Sequence, residues 1–121
     1  RNLKTASSER KIPLVGEAVW AAKRIVEADT ASDFAFPRYN RRSITSANSA
    51  SAALNKWLKQ YVPEACTMHS FRHSMRDRLR AVQCPADITD QIGGWTTDGV
   101  GQGYGSGYLM GVLSEWLNKA I

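Results

Sequence analysis

Four separated groups of residues in this chain could act together on a phosphate ester. His69 and Arg72 stand three apart, so on a helix they share a face, one turn above the other. Arg76 extends that row. A guanidinium can clamp two non-bridging phosphate oxygens, and an imidazole can donate a hydrogen bond or shuttle a proton. Taken alone, His-x-x-Arg is a weak signal, and an ordinary cationic helix flank is by far the commoner reading, by roughly ten to one. Tyr104 sits between Gly103 and Gly105. It reads either as a loop aromatic covering a core or as a nucleophile whose glycine neighbours let the backbone carry it into and out of a site. A phenol ionises near about pH 10, and cationic surroundings favour the phenolate that attacks phosphorus. Lys4 is either solvent-facing or a movable acid reaching into a groove. Gly93-Gly94-Trp95 stands nine residues ahead of Tyr104, counted from the tryptophan.

The elements that must position these groups are mostly helical. Residues 2–5 and 10–14 read as two short strands around the polar turn Ala6-Ser7-Ser8-Glu9, and Pro13 marks the second as an edge strand. A first helix is expected over 17–28, with Val19, Ala22, Ile25 and Val26 facing inward. Residues 29–46 read as a long loop. A second helix, 48–61, carries Ala50, Ala53, Leu54, Trp57, Leu58 and Tyr61 on one face, and Pro63 ends it. A third starts near Thr67, a plausible N-cap, and its stripe is Met68, Phe71, Met75, Leu79 and Val82. The His69–Arg72–Arg76 row lies beside that stripe. A short fourth helix, 85–92, opens on Pro85 and is stopped by Gly93-Gly94. Five glycines make 96–107 a flexible segment. A last helix, 108–120, aligns Leu109, Val112, Leu113, Trp116, Leu117 and Ala120. The fold class is mainly α with a small N-terminal β-hairpin. The expected organisation is one domain over 1–121: hairpin 2–14, helical core 17–95, then tyrosine segment and C-terminal helix 96–121.

The composition fits that architecture. The 121 residues are 43% hydrophobic and 22% charged, which excludes collagen-like, mucin-like and wholly disordered chains. Two cysteines imply no disulfide framework and a reducing compartment by default. The cysteines and histidines lack metal-ligand spacing, so no metal is expected. No apolar run approaches membrane-spanning length and no signal peptide is visible. The net charge of +5 conceals three islands of +3 each, at 1–12, 38–42 and 69–80, against an acidic stretch at 85–98 holding Asp87, Asp90 and Asp98. Such polarity suits a polyanionic partner or an unevenly charged solvated surface.

Taken in order, Leu3-Lys4-Thr5 with Arg10-Lys11-Ile12-Pro13-Leu14, Met68-His69-Ser70-Phe71-Arg72-His73, Ile92-Gly93-Gly94-Trp95 and Tyr104-Gly105 resemble the tyrosine recombinase (phage integrase) family. The resemblance covers nearly the whole chain and implies an integrase-type catalytic domain. It implies that Tyr104 attacks a DNA phosphodiester to form a 3′-phosphotyrosyl bond, that Arg72 holds the scissile phosphate with His69, and that Lys4 protonates the leaving 5′-oxygen. Trp95 fills a slot that many members fill with His. Its indole N–H can donate to a phosphate oxygen but cannot act as acid or base. Proton transfer then falls on Lys4 and His69. Tyr108 is a fallback nucleophile at the wrong spacing, and His73 supports its neighbours or is an ordinary helix histidine. Arg41, Arg42, Arg76 and Lys11 are candidate backbone-phosphate contacts. No cofactor is needed, because cations supply the positive charge and the phosphotyrosine stores the bond energy. The implied partner is double-stranded DNA, in a cytoplasmic, nucleoid-associated setting. The last helix docks on its own core or on a second copy, giving self-association.

The family also has a first active-site arginine ahead of the lysine. Lys4 is the fourth residue and Arg1 is too close to it, so the chain reads as a fragment beginning inside the catalytic domain. The expectation is that this piece cleaves DNA poorly alone. Three alternatives share some features: a type IB topoisomerase-like enzyme, a non-catalytic basic helical DNA-binding module with an inert Tyr104, and an interaction domain built on the last helix.

Overall fold

The computed structural model describes residues 9–28, 32–41, 44–95 and 107–121. They form α1 (Glu17–Glu27), a 3₁₀ turn (Pro37–Tyr39), β1 (Asn40–Arg41), β2 (Ile44–Thr45), α2 (Ala47–Leu58), α3 (Ser70–Ala81), α4 (Ala86–Gly93) and α5 (Met110–Ala120). The architecture is mainly helical, as the periodicities predict. Among the described residues no helix is long and apolar enough to cross a membrane. The chain divides into two compact units, Arg1–Ala18 with Ser74–Ile121, and Val19–His73, so the division passes through α1 and α3.

The first unit holds the core. Leu79 from α3, Cys84, Ile88 and Ile92 from α4, and Leu113, Leu117 and Ala120 from α5 form one buried cluster. Leu79 and Leu113 have no exposed surface at all. Burying each such leucine stabilises the fold by about 1.5–3 kcal/mol. Ile12, Val15, Met75, Val82, Val112 and Trp116 pack around the cluster, half-buried.

Two helix ends in this unit are built alike. After α3, Gln83 adopts φ +59°, its N–H donates to the Arg80 carbonyl (2.9 Å) and the Cys84 N–H reaches back to the Leu79 carbonyl (2.9 Å). These are the paired bonds of a Schellman motif, and Cys84 and Leu79 supply its apolar contact. After α4, Gly94 is left-handed (φ +61°), and both its N–H and that of Trp95 donate to the Asp90 carbonyl. Gly93-Gly94 therefore stops α4 as the sequence indicates. Pro85 stands just ahead of the helix, as its N-cap.

The expected N-terminal hairpin is corrected on its described half. Residues 9–15 pair with no strand among the described residues, and 2–8 lie outside them. This stretch is held by its side chains instead. Ile12 and Val15 face the core, and the Arg10 guanidinium donates to the Ile92 carbonyl (3.1 Å), a cation at the C-terminal end of α4. Pro13 has no N–H to give a ladder.

In the second unit the backbone makes one two-residue antiparallel ladder, Asn40 opposite Thr45 and Arg41 opposite Ile44. Asn40 ties it together: its amide donates to the Phe36 carbonyl (2.9 Å), and its side-chain oxygen accepts from the Thr45 hydroxyl (2.9 Å). The α-helical part of α2 ends at Leu58, earlier than expected. The Gln60 and Tyr61 N–H groups then bond the Trp57 and Leu58 carbonyls, tightening the last turn ahead of Pro63.

Burial in this unit departs from the stripes read off the sequence. Leu58 is buried, but Leu54, Trp57 and Tyr61 are exposed, as are Val26 of α1 and Phe71 of α3. Trp57 and Tyr61 pack on each other at 5.0 Å between ring centroids.

Candidate functional site

His69 immediately precedes α3, and Arg72 lies in its first turn. The helix proper starts at Ser70, not at Thr67. The Ser70 hydroxyl oxygen accepts the Thr67 N–H (3.0 Å), and the Ser70 N–H donates to the Thr67 carbonyl (2.9 Å). One residue further on, the Met68 N–H donates to the Asn55 side-chain oxygen (2.7 Å). A side chain of α2 thus fixes the backbone that leads into His69. Sequence reading missed Asn55, because a single amide on a helix carries no motif. His69 and His73, one turn apart, meet edge to face at 5.2 Å. Arg72 is half-buried, and His69 is exposed.

Trp95 belongs to the other unit, where its position follows from how α4 ends. The Asp90 carbonyl holds its N–H. Its ring occupies the space a side chain at residue 93 would need: a Cβ on Gly93 would stand 1.9 Å from the indole. The Arg76 guanidinium lies over the indole, 5.1 Å from the centroid. A cation on a partly desolvated aromatic face is worth about 0.5–2 kcal/mol. The Arg76 Nε is buried with no hydrogen-bond partner. Arg76 was expected at a DNA phosphate; here its guanidinium faces the indole. Gly93, Gly94 and Arg76 act as a mount for Trp95.

Tyr108 is fixed more tightly than a loop aromatic. Its N–H donates to Gln91 Oε1 (2.7 Å), and Gln91 Nε2 donates to its carbonyl (3.1 Å). Its hydroxyl donates to Asp87 Oδ2. That hydrogen bond holds the Asp87 carboxyl below the usual carboxylate range and pushes the Tyr108 phenol above its ordinary value. Of the acidic stretch, Asp87 is exposed and bonded to Tyr108, while Asp90 is buried.

Lys4, Arg42 and Tyr104 lie outside the described residues, as does Asp98. Arg41 contributes backbone to β1, paired with Ile44. Lys11 is exposed in the stretch leading to α1. Among the described residues no three His, Cys, Asp or Glu side chains gather as a metal-holding group. Both cysteines are free thiols.

The last helix starts at Met110, not at residue 108, because the Tyr108 backbone is engaged by Gln91. It docks on its own unit through Leu113, Leu117 and Ala120. Leu109, expected on that inner face, is exposed instead. Trp116 packs against the core, and Lys119 covers its ring at 4.3 Å while pairing with Glu115 at 2.7 Å.

The model of the phage integrase family matches residues 1–106 of the chain. No curated protein and no solved structure matches it.

Proposed function

The chain belongs to the phage integrase family, and from that premise we propose that it carries out the strand-cleavage step of site-specific recombination through Tyr104. Membership implies DNA binding and recombination. The finer assignment is residue by residue. The Tyr104 hydroxyl passes its proton to His69 and attacks the scissile phosphorus, forming the P–O bond of a 3′-phosphotyrosine. The P–O bond to the 5′-oxygen breaks, and that oxygen takes its proton from Lys4. Arg72 and His69 neutralise the non-bridging oxygens, and the Trp95 indole donates a further hydrogen bond. Religation reverses these steps and needs no outside energy source. Arg41, Arg42 and Lys11 bind backbone phosphates. The DNA partner implies a cytoplasmic, nucleoid-associated location.

What supports this reading above all is the mounting of Trp95. An indole, backed by a guanidinium and seated on a glycine at the end of a short helix, is a fixed donor, and fixed donors stabilise charge that develops at phosphorus. All five reacting positions also fall inside the matched span.

The test is covalent trapping. The protein is incubated with nicked duplexes carrying a site selected from random-sequence DNA for binding to it. A protein–DNA adduct is expected, absent in Tyr104→Phe. Arg72→Ala should slow it by about 10²–10³, the usual effect of removing one transition-state donor. DNA binding without any adduct would instead make the chain a non-catalytic binding module. Sequence-independent relaxation of supercoils would indicate topoisomerase-like action.

A further inference from the structure

His69 and His73 are both exposed, and both belong to the unit Val19–His73. Their ring centroids are 5.2 Å apart and their planes differ by 76°. Among the described residues neither imidazole has a hydrogen-bond partner. In its neutral form each ring therefore offers one nitrogen lone pair to solvent. The backbone beneath the pair is fixed. Asn55 holds the Met68 N–H (2.7 Å), the Ser70 hydroxyl holds the Thr67 N–H (3.0 Å), and the Arg72 N–H donates to the His69 carbonyl (3.0 Å). Two ligands one turn apart on a held backbone make a preorganised chelate. On a tetrahedral zinc ion with Zn–N of about 2.0–2.1 Å, two imidazole centroids stand about 5 Å apart. The separation in the structure already matches. Rotation about exposed side-chain bonds, a fast motion, is all that is needed to aim one nitrogen of each ring at a shared ion.

We propose that His69 and His73 form an exchangeable site for a divalent transition metal of the zinc class, and that its occupancy stops strand cleavage. The four-residue step is that of the two histidines in the zinc-binding pattern His-Glu-x-x-His. Imidazole suits zinc, copper and nickel, whereas magnesium and calcium require oxygen ligands. Among the described residues no third His, Cys, Asp or Glu joins the pair. Resident zinc sites use three or four protein ligands. Two ligands completed by water give an ion that comes and goes with its concentration. Arg72, immediately before His73, adds a positive charge that lowers the affinity further. The effect on cleavage rests on the reading of His69 as the group that takes the Tyr104 proton. Coordination uses the imidazole lone pair, so a metal-bound His69 has none left to accept a proton.

The experiment titrates the full chain with zinc chloride in a non-chelating buffer by calorimetry. Single-turnover adduct formation on the same selected nicked duplexes is measured in parallel, with zinc and with a chelator. One zinc per chain is expected, and His69→Ala or His73→Ala should weaken its binding by about tenfold or more. Cys66→Ser removes a competing soft ligand outside the pair and should leave the affinity within about twofold. Zinc should raise the melting temperature of wild type but not of His73→Ala. Saturating zinc should slow the wild-type adduct by about 10²-fold, as for loss of a general base, and chelation should restore it. In His73→Ala the rates with zinc and with chelator should agree within about twofold, whatever the basal rate. Magnesium should neither bind the pair nor slow the adduct. Unchanged zinc affinity in His73→Ala, or its loss in Cys66→Ser, would overturn the site. Zinc that binds without slowing the adduct would overturn the control of cleavage, as would equal slowing by magnesium. An adduct that fails to form even with chelator removes the proposed function and the control of cleavage with it, while the titration still decides the site.

Discussion

Trp95 is held by residues that have little in common chemically. Gly93 leaves the ring its space, Gly94 turns the chain, and Arg76 covers the indole. Gly93→Ala would put a methyl group inside the ring, so the indole must move. We expect a loss of about 1–3 kcal/mol in urea unfolding, as for an overpacked site, together with a changed near-ultraviolet circular dichroism signal. The bond between Tyr108 and Asp87 makes a second prediction at this scale. Because the folded Asp87 carboxyl is lowered, its contribution is present above about pH 4 and is lost as acid takes the folded group through its own, lower value. Because the Tyr108 phenol is raised, its contribution is present below about pH 10 and is lost only in more alkaline solution. The difference in melting temperature between wild type and Tyr108→Phe should therefore be flat between those limits and shrink outside them. None of these pairings could be read from sequence. Arg76 and Trp95 are nineteen residues apart and Asp87 and Tyr108 twenty-one, with no motif linking either pair.

The helices themselves were readable, and for a plain reason. Apolar residues at three- and four-residue steps fix the period, and Pro63, Pro85 and Gly94 mark ends. What the period cannot say is which face finds a partner. In α5 the stripe is buried as expected at Leu113, Leu117 and Ala120. Along α2 and the turn that follows it, the same spacing leaves Trp57 at 54% and Tyr61 at 67% exposure. Amphipathicity orders residues around an axis, while burial depends on what lies opposite. The contrast is measurable. Leu79→Ala or Leu113→Ala should cost about 2–5 kcal/mol in chemical denaturation, because a closed cavity is left behind. Leu54→Ala, at 44% exposure, should cost less than about 1 kcal/mol. Equal losses at the three sites would show that the α2 face is covered in solution. The expected hairpin shows the opposite limit. Ile12 packs on the core as a strand residue would, yet residues 9–15 pair with no strand among the described residues.

Over the whole molecule, charge and core are apportioned differently. The unit Val19–His73 carries eight Lys or Arg against four Asp or Glu, and the rest of the chain carries eight against seven. The buried cluster lies entirely in that second, nearly neutral part. The sequence showed the basic islands but not this division, because no linker or change of composition marks it. If Arg41 and Arg42 bind backbone phosphates, replacing either by Ala should weaken binding to all duplexes alike and reduce the slope of log K against log salt by about 0.9. An unchanged slope would assign them elsewhere. One consequence of α4 holding both residue 95 and residue 108 reaches beyond chemistry. A span pinned at its two ends to neighbouring positions of one rigid rod can change length at small thermodynamic cost, since each doubling adds only about 0.6 kcal/mol of closure entropy. Insertions between these pins should leave the melting point nearly untouched. The length of that span is thus open to mutation without reopening the question of folding.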